Sequence, residues 1–163
     1  MTGNISSRAW SFFAFLGLSL GVGATGSLVT AGSVKTWYPM LVKPAWTPPS
    51  FVFAPVWTVL YVCMAVAAWR VWVKREKSDA KANGPLFLYF IQLALNFLWS
   101  ILFFGLRAPI YAGVEILLLL SAVSLTFLSF RKIDAVAGWL MVPYVFWVAY
   151  ASTLNIAIVF LNR

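Results

Sequence analysis

Five long apolar runs constrain the fold of this chain more than any other feature of its sequence. A helix that crosses the hydrocarbon core of a bilayer needs roughly 20 consecutive, mostly apolar residues. A membrane barrel would instead alternate polar and apolar positions, which the run ILLLL at 116–120 does not do. We therefore predict an all-α integral membrane protein, whose five transmembrane helices form a single bundle within residues 1–163. The predicted spans cover residues 9–30, 53–73, 85–104, 109–130 and 136–161.

The composition agrees with a bilayer and argues against several kinds of site. The chain is 63% hydrophobic and 10% charged, whereas a soluble domain is roughly 45–50% apolar and about 25% charged. Its net charge of +8 fits basic residues that flank the spans and meet anionic lipid headgroups, so we expect no nucleic-acid partner. Histidine is absent and Cys63 is the single cysteine. We therefore expect no metal site, no serine–histidine triad and no required cofactor.

The basic residues are divided unequally between the two ends of the predicted bundle. Cytoplasmic loops of membrane proteins carry an excess of lysine and arginine. Of the twelve basic residues, the smaller group at one end contains Lys35, Lys43, Arg107 and Arg163. The other end holds Arg8, Arg70, Lys74, Arg75, Lys77, Lys81, Arg131 and Lys132. We predict that the N-terminus and a charged loop at 74–84 are cytoplasmic and that the C-terminus lies outside.

A segment rich in proline and tryptophan joins the first and second runs. Residues 37–61, WYPMLVKPAWTPPSFVFAPVWTVLY, contain five of the eight prolines and three of the nine tryptophans. Proline interrupts a helix because it lacks the backbone N–H and its ring clashes with the preceding turn. The pattern predicts a long, stiff connection at 31–52 that covers a cavity with aromatic rings.

Polar and aromatic side chains recur every four residues in three of the runs, so each set shares one helix face. Such faces serve either as contacts between helices or as walls of a ligand cavity. Three of them beneath a tryptophan-rich connection favour a cavity. The sets are Trp57, Tyr61, Met64 and Ala68; Gln92, Asn96 and Ser100, with Trp99 beside them; and Pro143, Trp147, Ala151 and Asn155.

Two features inside the runs leave alternatives open. Glu115 is an acid within a span, where it could pair with Arg107 or Arg131, reach the membrane surface, stay neutral or serve the function directly. The first run contains Gly17, Gly21, Gly23 and Gly26, and small residues at such spacing let helices approach closely. The glycines fit internal packing and a dimer seam equally well.

Four stretches combine tryptophan and proline in a way that identifies a family. They are WYPMLVKPAWTPP (37–49), FVFAPVWTVLY (51–61), QLALNFLWSILFFG (92–105) and VPYVFWVAYASTLN (142–155). In content and order they resemble the translocator protein family, also called tryptophan-rich sensory proteins or peripheral benzodiazepine receptors. Tryptophan and proline are rare residues, so the resemblance is specific.

The resemblance implies a ligand site and its occupants. It implies a five-helix bundle in a bacterial cell membrane, homodimer formation, and a pocket for porphyrins such as protoporphyrin IX or another tetrapyrrole. Isoquinoline carboxamide and benzodiazepine compounds are further expected ligands, and membrane lipid surrounds the protein. By motif, the expected pocket residues are Tyr38 and Pro48 in the connection, Trp57 in the second span, Asn96 and Trp99 in the third, and Trp147 and Ala151 in the fifth. We add Tyr61, because it shares a helix face with Trp57.

Three functions are compatible with these residues. A receptor, carrier or sensor that binds a tetrapyrrole is the function we favour. A light- and oxygen-dependent enzyme that degrades protoporphyrin is the alternative, with Trp57 and Trp147 as candidate catalytic residues. A structural membrane protein that binds lipid or sterol is the third, although the family's sterol motif is missing near the C-terminus, where Tyr150 precedes Arg163 by 13 residues.

Overall fold

Five long helices build the described part of the protein, and each is long and apolar enough to cross a membrane. The structure is a computed structural model that describes residues 5–75 and 83–163. The helices are α1 (Ile5–Thr36), α2 (Phe53–Arg75), α3 (Asn83–Ser100), α4 (Pro109–Ile133) and α5 (Ala135–Leu161). This confirms the predicted all-α membrane fold. Most of the predicted charged loop at 74–84 lies outside the described residues.

The connection between α1 and α2 is shorter than the sequence predicted. Residues 31–36 continue α1, because no proline occurs before Pro39 and a helix backbone needs no apolar side chains to propagate. The connection therefore covers residues 37–52, and it contains two short 3₁₀ turns at Tyr38–Met40 and Ser50–Val52. The first of these turns places Pro39 where its missing N–H costs no hydrogen bond.

The helices pack in a ring in the order α1, α2, α5, α4, α3 and back to α1. One half of the bundle, around the α4–α5 turn, is filled by fully buried side chains such as Met64, Tyr89, Val123 and Met141. The other half, towards the connection, encloses a cavity. The first helix contacts the other helices along a narrow row of buried residues that includes Phe15, Ser19 and Ser33.

An ion-paired acid fastens the filled end of the bundle. Asp134 forms the turn between α4 and α5, where its Oδ2 accepts a hydrogen bond from Arg70 Nε at 2.8 Å. Its Oδ1 caps α5 by accepting from the Val136 N–H at 3.0 Å and lies 3.3 Å from Lys74 Nζ. Burial would raise the pKa of Asp134, but the bonds from Arg70, Lys74 and Val136 outweigh burial and lower it.

A π-helical turn at Ile101–Gly105 ends the third span. It widens the helix, since the Leu106 N–H bonds to the Ile101 carbonyl five residues back, at 2.7 Å. Ser33 Oγ of α1 donates to the Phe104 carbonyl at 2.6 Å and holds this turn against the first helix. Short π turns of this kind often occur at functional sites. Here the turn directs Phe103 and Phe104 into the cavity wall.

Candidate ligand cavity

The cavity has a volume of about 490 Å³ and lies between α1, α2, α3 and α5. Pockets of roughly 300–1,000 Å³ hold drug-sized ligands. Its walls are mostly aromatic and small side chains, with a few polar groups between them. The fourth helix contributes no lining residue among those that the structure describes, so α4 supports the wall from behind.

The first helix forms the thinnest wall of the cavity. Gly23 faces the Tyr61 ring so closely that a Cβ atom added there would lie 2.5 Å from Tyr61 Cε2. Next to Gly23, the lining residues Ala24 and Ser27 of α1 are exposed, as is Thr58 of α2. The cavity therefore reaches the outer surface of the bundle between α1 and α2.

Two tryptophans and a tyrosine form the aromatic face of the cavity. The Trp57 ring stacks on the Tyr61 ring, with centroids 5.6 Å apart and planes 30° apart. Trp147 of α5 meets Trp57 edge-on, with centroids 6.4 Å apart, and Phe53 packs against Trp147 at 5.9 Å. Rings in these geometries attract one another beyond the area they bury. They give the cavity a rigid aromatic wall.

Asn96 joins three helices at the inner end of the cavity. Its Oδ1 accepts a hydrogen bond from the Tyr61 hydroxyl at 2.5 Å, and its Nδ2 donates to the Tyr144 hydroxyl at 3.1 Å. The side chain is 3% exposed. A buried amide stabilises a fold only when its polar atoms are bonded, and these bonds fix the position of Tyr61 in the cavity wall.

Asn155 also joins three helices by hydrogen bonds, closer to the connection than Asn96. Its Oδ1 accepts from Trp99 Nε1 at 3.1 Å, and its Nδ2 donates to the Pro109 carbonyl at 2.8 Å. The bonds join α3, α5 and the first turn of α4. Trp99 in turn stacks on Phe103, with centroids 5.1 Å apart. The π-helical turn, the third helix and the fifth helix therefore form one connected wall.

The connection is fastened to the end of α5 by side-chain hydrogen bonds. The Tyr150 hydroxyl donates to the Trp46 carbonyl at 2.6 Å. Asn162 bonds to both backbone groups of Val42, accepting from its N–H and donating to its carbonyl at 2.9 Å each. The bonds hold residues 42–46 at the open end of the bundle.

Tyr38 is the aromatic side chain of the connection that lines the cavity. Burial raises the pKa of the Tyr38 phenol, and the neighbouring Tyr150 phenol raises it further. Lys43 turns back onto this segment, because its Nζ donates to the carbonyls of Tyr38 and Leu41 at 3.1 and 2.9 Å. Lys43 thus stabilises the connection, and its ammonium group is already engaged.

Comparison with known proteins assigns the chain to a family. The model of the TspO/MBR family matches residues 15–161. The chain belongs to the TspO/MBR family. It is 42% identical over 151 residues to the tryptophan-rich protein TspO of Chlorobaculum tepidum, an alignment that covers 90% of this chain and 92% of that protein. It is 42% identical to the tryptophan-rich protein TspO of Archaeoglobus fulgidus, with 88% and 91% covered. It is 39% identical to the human translocator protein, with 80% and 77% covered.

Membership in the TspO/MBR family and the five apolar spans together make the chain a multi-pass membrane protein. Seven of the eight residues that the sequence placed at the ligand site line the cavity: Tyr38, Trp57, Tyr61, Asn96, Trp99, Trp147 and Ala151. Pro48 is not among the lining residues. It is half-buried and precedes the turn that starts α2.

Several lining residues of this TspO/MBR family member were not predicted from the sequence. Phe103 and Phe104 face the cavity because of the π-helical turn, which their sequence does not indicate. Leu154 and Ile158 lie on the face of α5 that also carries Ala151, and the spacing of four between 154 and 158 could have revealed them. The lining role of Gly23 follows from its close contact with Tyr61 and was not predicted.

Glu115 is neither paired nor at the surface, contrary to two of the sequence-based alternatives. It is 5% exposed, which excludes a side chain that reaches the membrane surface. Neither carboxyl oxygen has a hydrogen-bond partner among residues 5–75 and 83–163. Pairing with Arg107 or Arg131 is therefore wrong. The remaining alternatives are a neutral acid and a functional group.

Proposed function

We propose that this protein binds a metal-free porphyrin such as protoporphyrin IX in the cavity, as a tetrapyrrole receptor, carrier or sensor. The observation that carries the proposal is the aromatic wall of Trp57, Tyr61 and Trp147 on a cavity of about 490 Å³. A porphyrin is a flat π-system, and indole and phenol rings stack on such a surface. Uncharged aromatic compounds of the isoquinoline carboxamide and benzodiazepine classes fit the same wall.

The polar groups of the cavity suit the edge of such a ligand. Asn96, Ser100 and Asn155 reach the lining from α3 and α5, so they can bond to pyrrole or amide groups along that wall. The carboxylates of a porphyrin are then expected near the connection, where Lys35 lies in the last turn of α1. The chain contains no histidine, a common axial ligand of haem iron, which favours a porphyrin without metal.

Quenching of tryptophan fluorescence by added protoporphyrin IX tests this proposal. We expect saturable quenching with one ligand for each chain. Ala151→Thr places a larger, polar side chain in the wall next to Trp147 and should weaken binding about tenfold, because a crowded site costs ~1–3 kcal/mol. Ala149→Thr on the same helix lies outside the lining and serves as the matched control. Linear, unsaturable quenching would favour a protein whose cavity holds lipid.

A second function deserves a test because Trp57 and Trp147 lie next to each other in the cavity wall. A bound porphyrin absorbs light and can transfer energy to oxygen, and two adjacent indoles could be oxidised or relay electrons during degradation of the pigment. Illumination of the complex should then bleach the porphyrin more slowly in a Trp57→Phe, Trp147→Phe double variant. Equal bleaching rates at equal ligand occupancy would exclude a catalytic role for these tryptophans.

We also propose an orientation in a bacterial cell membrane. Among the described residues, Arg8, Arg70, Lys74, Arg131 and Lys132 lie at the filled end of the bundle, and the Trp69 indole binds the Arg8 carbonyl there at 3.0 Å. By the excess of basic residues, that end is cytoplasmic and the half of the bundle that encloses the cavity lies towards the outside. A reporter fused after Arg163 should be active only outside the cytoplasm. We further expect a homodimer, which cross-linking in native membranes would detect.

A further inference from the structure

Glu115 is a buried acid that no contact in the described part of the chain explains. The chain has four acidic side chains, of which Asp134 is ion-paired. Glu115 lies within α4, on the face that packs into the bundle. Both of its carboxyl oxygens are buried without a hydrogen-bond partner among the residues that the structure describes. An ionised carboxylate in such a place is costly, because neither a cation nor a donor compensates for its lost hydration.

A chain of hydrogen bonds leads from the cavity towards this acid. The Tyr61 hydroxyl donates to Asn96 Oδ1, and Asn96 Nδ2 donates to the Tyr144 oxygen. Tyr144 thus accepts one bond and keeps its own hydroxyl hydrogen available. Glu115 and Tyr144 lie on the buried faces of α4 and α5, two helices that pack against each other, and the Glu115 carboxyl acts electrostatically on the Tyr144 hydroxyl. All donors in this chain of hydrogen bonds therefore run in one direction, from Tyr61 in the cavity wall to Tyr144.

The buried polar side chains named on the helices around α4 carry no charged group. The fifth helix contributes Tyr144, and the second contributes Tyr61, which acts on Tyr144. The third helix contributes the amide of Asn96 and, one turn away, that of Gln92, which is fully buried with both amide atoms unbonded among the described residues. Because none of these groups is a cation, a bound proton is what neutralises the charge of the Glu115 carboxylate.

We propose that Glu115 is a proton-binding site inside the bundle, linked to the cavity through Tyr61, Asn96 and Tyr144. Protonation forms one O–H bond with a proton taken from water and changes the side-chain charge from −1 to 0. A ligand that bonds to Tyr61 or Asn96 changes the orientation of the hydrogen bonds that lead to Tyr144, and hence the proton affinity of Glu115. By thermodynamic linkage, protonation of Glu115 then changes the affinity for that ligand by the same factor.

Infrared spectroscopy of the full chain in phosphatidylcholine vesicles tests the proton site without any cavity ligand, so its outcome is independent of the proposed function. Wild type at neutral pH should show the carbonyl band of a protonated carboxylic acid, which titrates away on alkalinisation. The band should be absent in Glu115→Gln, which preserves shape and neutrality, and present in Asp134→Asn. A missing band in wild type, a band that survives in Glu115→Gln, or a band that never titrates would overturn the proposal.

Tyrosine variants test the link to the cavity. Tyr144→Phe removes the hydroxyl group on which the Glu115 carboxyl acts, so the midpoint of the band's titration should shift by about one pH unit, a tenfold change in proton affinity. Tyr61→Phe should move it less, in the same direction. Tyr89→Phe is the control, because this equally buried hydroxyl bonds to Ser19 and takes no part in the hydrogen bonds from Tyr61 to Tyr144. An unchanged midpoint in Tyr144→Phe, or an equal shift in Tyr89→Phe, would overturn the link.

Discussion

Replacing Gly23 with alanine should disturb the cavity more than the same change at any other glycine of α1. The new Cβ would lie 2.5, 2.8 and 3.2 Å from Cε2, Cδ2 and Cζ of Tyr61. Carbon atoms in contact are normally about 3.5–4.0 Å apart, so the ring must move by roughly 1 Å. It cannot do so freely, because its hydroxyl bonds to Asn96 and its face stacks on Trp57.

The size of the effect follows from these contacts. Overpacking of this kind costs about 1–3 kcal/mol, and loss of the Tyr61–Asn96 bond adds about 0.5–1.5 kcal/mol. The gain in helix propensity from glycine to alanine offsets about 1 kcal/mol. These terms change the free energy of unfolding. The displaced Tyr61 ring also alters the aromatic wall on which the porphyrin stacks, and we expect protoporphyrin affinity to fall about tenfold, which corresponds to ~1.4 kcal/mol of binding free energy.

Gly21→Ala is the matched control, because no atom lies within 4 Å of a Cβ placed there. Both variants add one methyl group to the same helix, so they differ only in the contact with Tyr61. Fluorescence titrations in lipid nanodiscs should show wild-type affinity for Gly21→Ala and a weakened complex for Gly23→Ala. Affinities that agree within twofold would refute the role of Gly23 as the residue that positions Tyr61.

Two further predictions concern the ends of the bundle. Asp134→Asn should lower thermal stability at neutral pH and flatten the dependence of stability on pH. A carboxyl whose pKa is lowered on folding stabilises the fold above its unfolded pKa, and it loses that contribution as pH falls through the folded pKa. A variant as stable as wild type at neutral pH would contradict the ion-paired turn. Tyr150→Phe should free the Trp46 carbonyl and cost about 0.5–1.5 kcal/mol, seen as faster proteolysis within residues 37–52, whereas Tyr111→Phe at an exposed position should leave the digestion pattern unchanged.

Much of the fold could be predicted because few backbone structures can cross the hydrocarbon core of a bilayer. Each span was recognisable from its length and apolar content, and backbone groups in lipid must bond within a helix. The ends were harder to place. The first helix runs six residues past the predicted boundary at residue 30, because hydropathy marks where lipid ends and not where the helix ends.

The site was predictable where its residues repeat at helical spacing. Trp57 and Tyr61 on α2, and Trp147 and Ala151 on α5, share a face and do line the cavity. Phe103 and Phe104 depend on the π-helical turn, which no residue pattern announces, and the role of Gly23 depends on how closely two helices approach. These features arise from packing between helices, so they become visible only in three dimensions.

Competition between two ligands tests the central claim, that the cavity binds a tetrapyrrole, most directly. Purified protein in nanodiscs is titrated with metal-free protoporphyrin IX while tryptophan fluorescence is recorded, and an uncharged isoquinoline carboxamide is then added. We predict saturable quenching that the second compound reverses competitively, with both affinities weakened by Ala151→Thr and unchanged by Ala149→Thr. Quenching that does not saturate, or that the competitor and Ala151→Thr leave unaltered, would contradict a porphyrin site in this cavity.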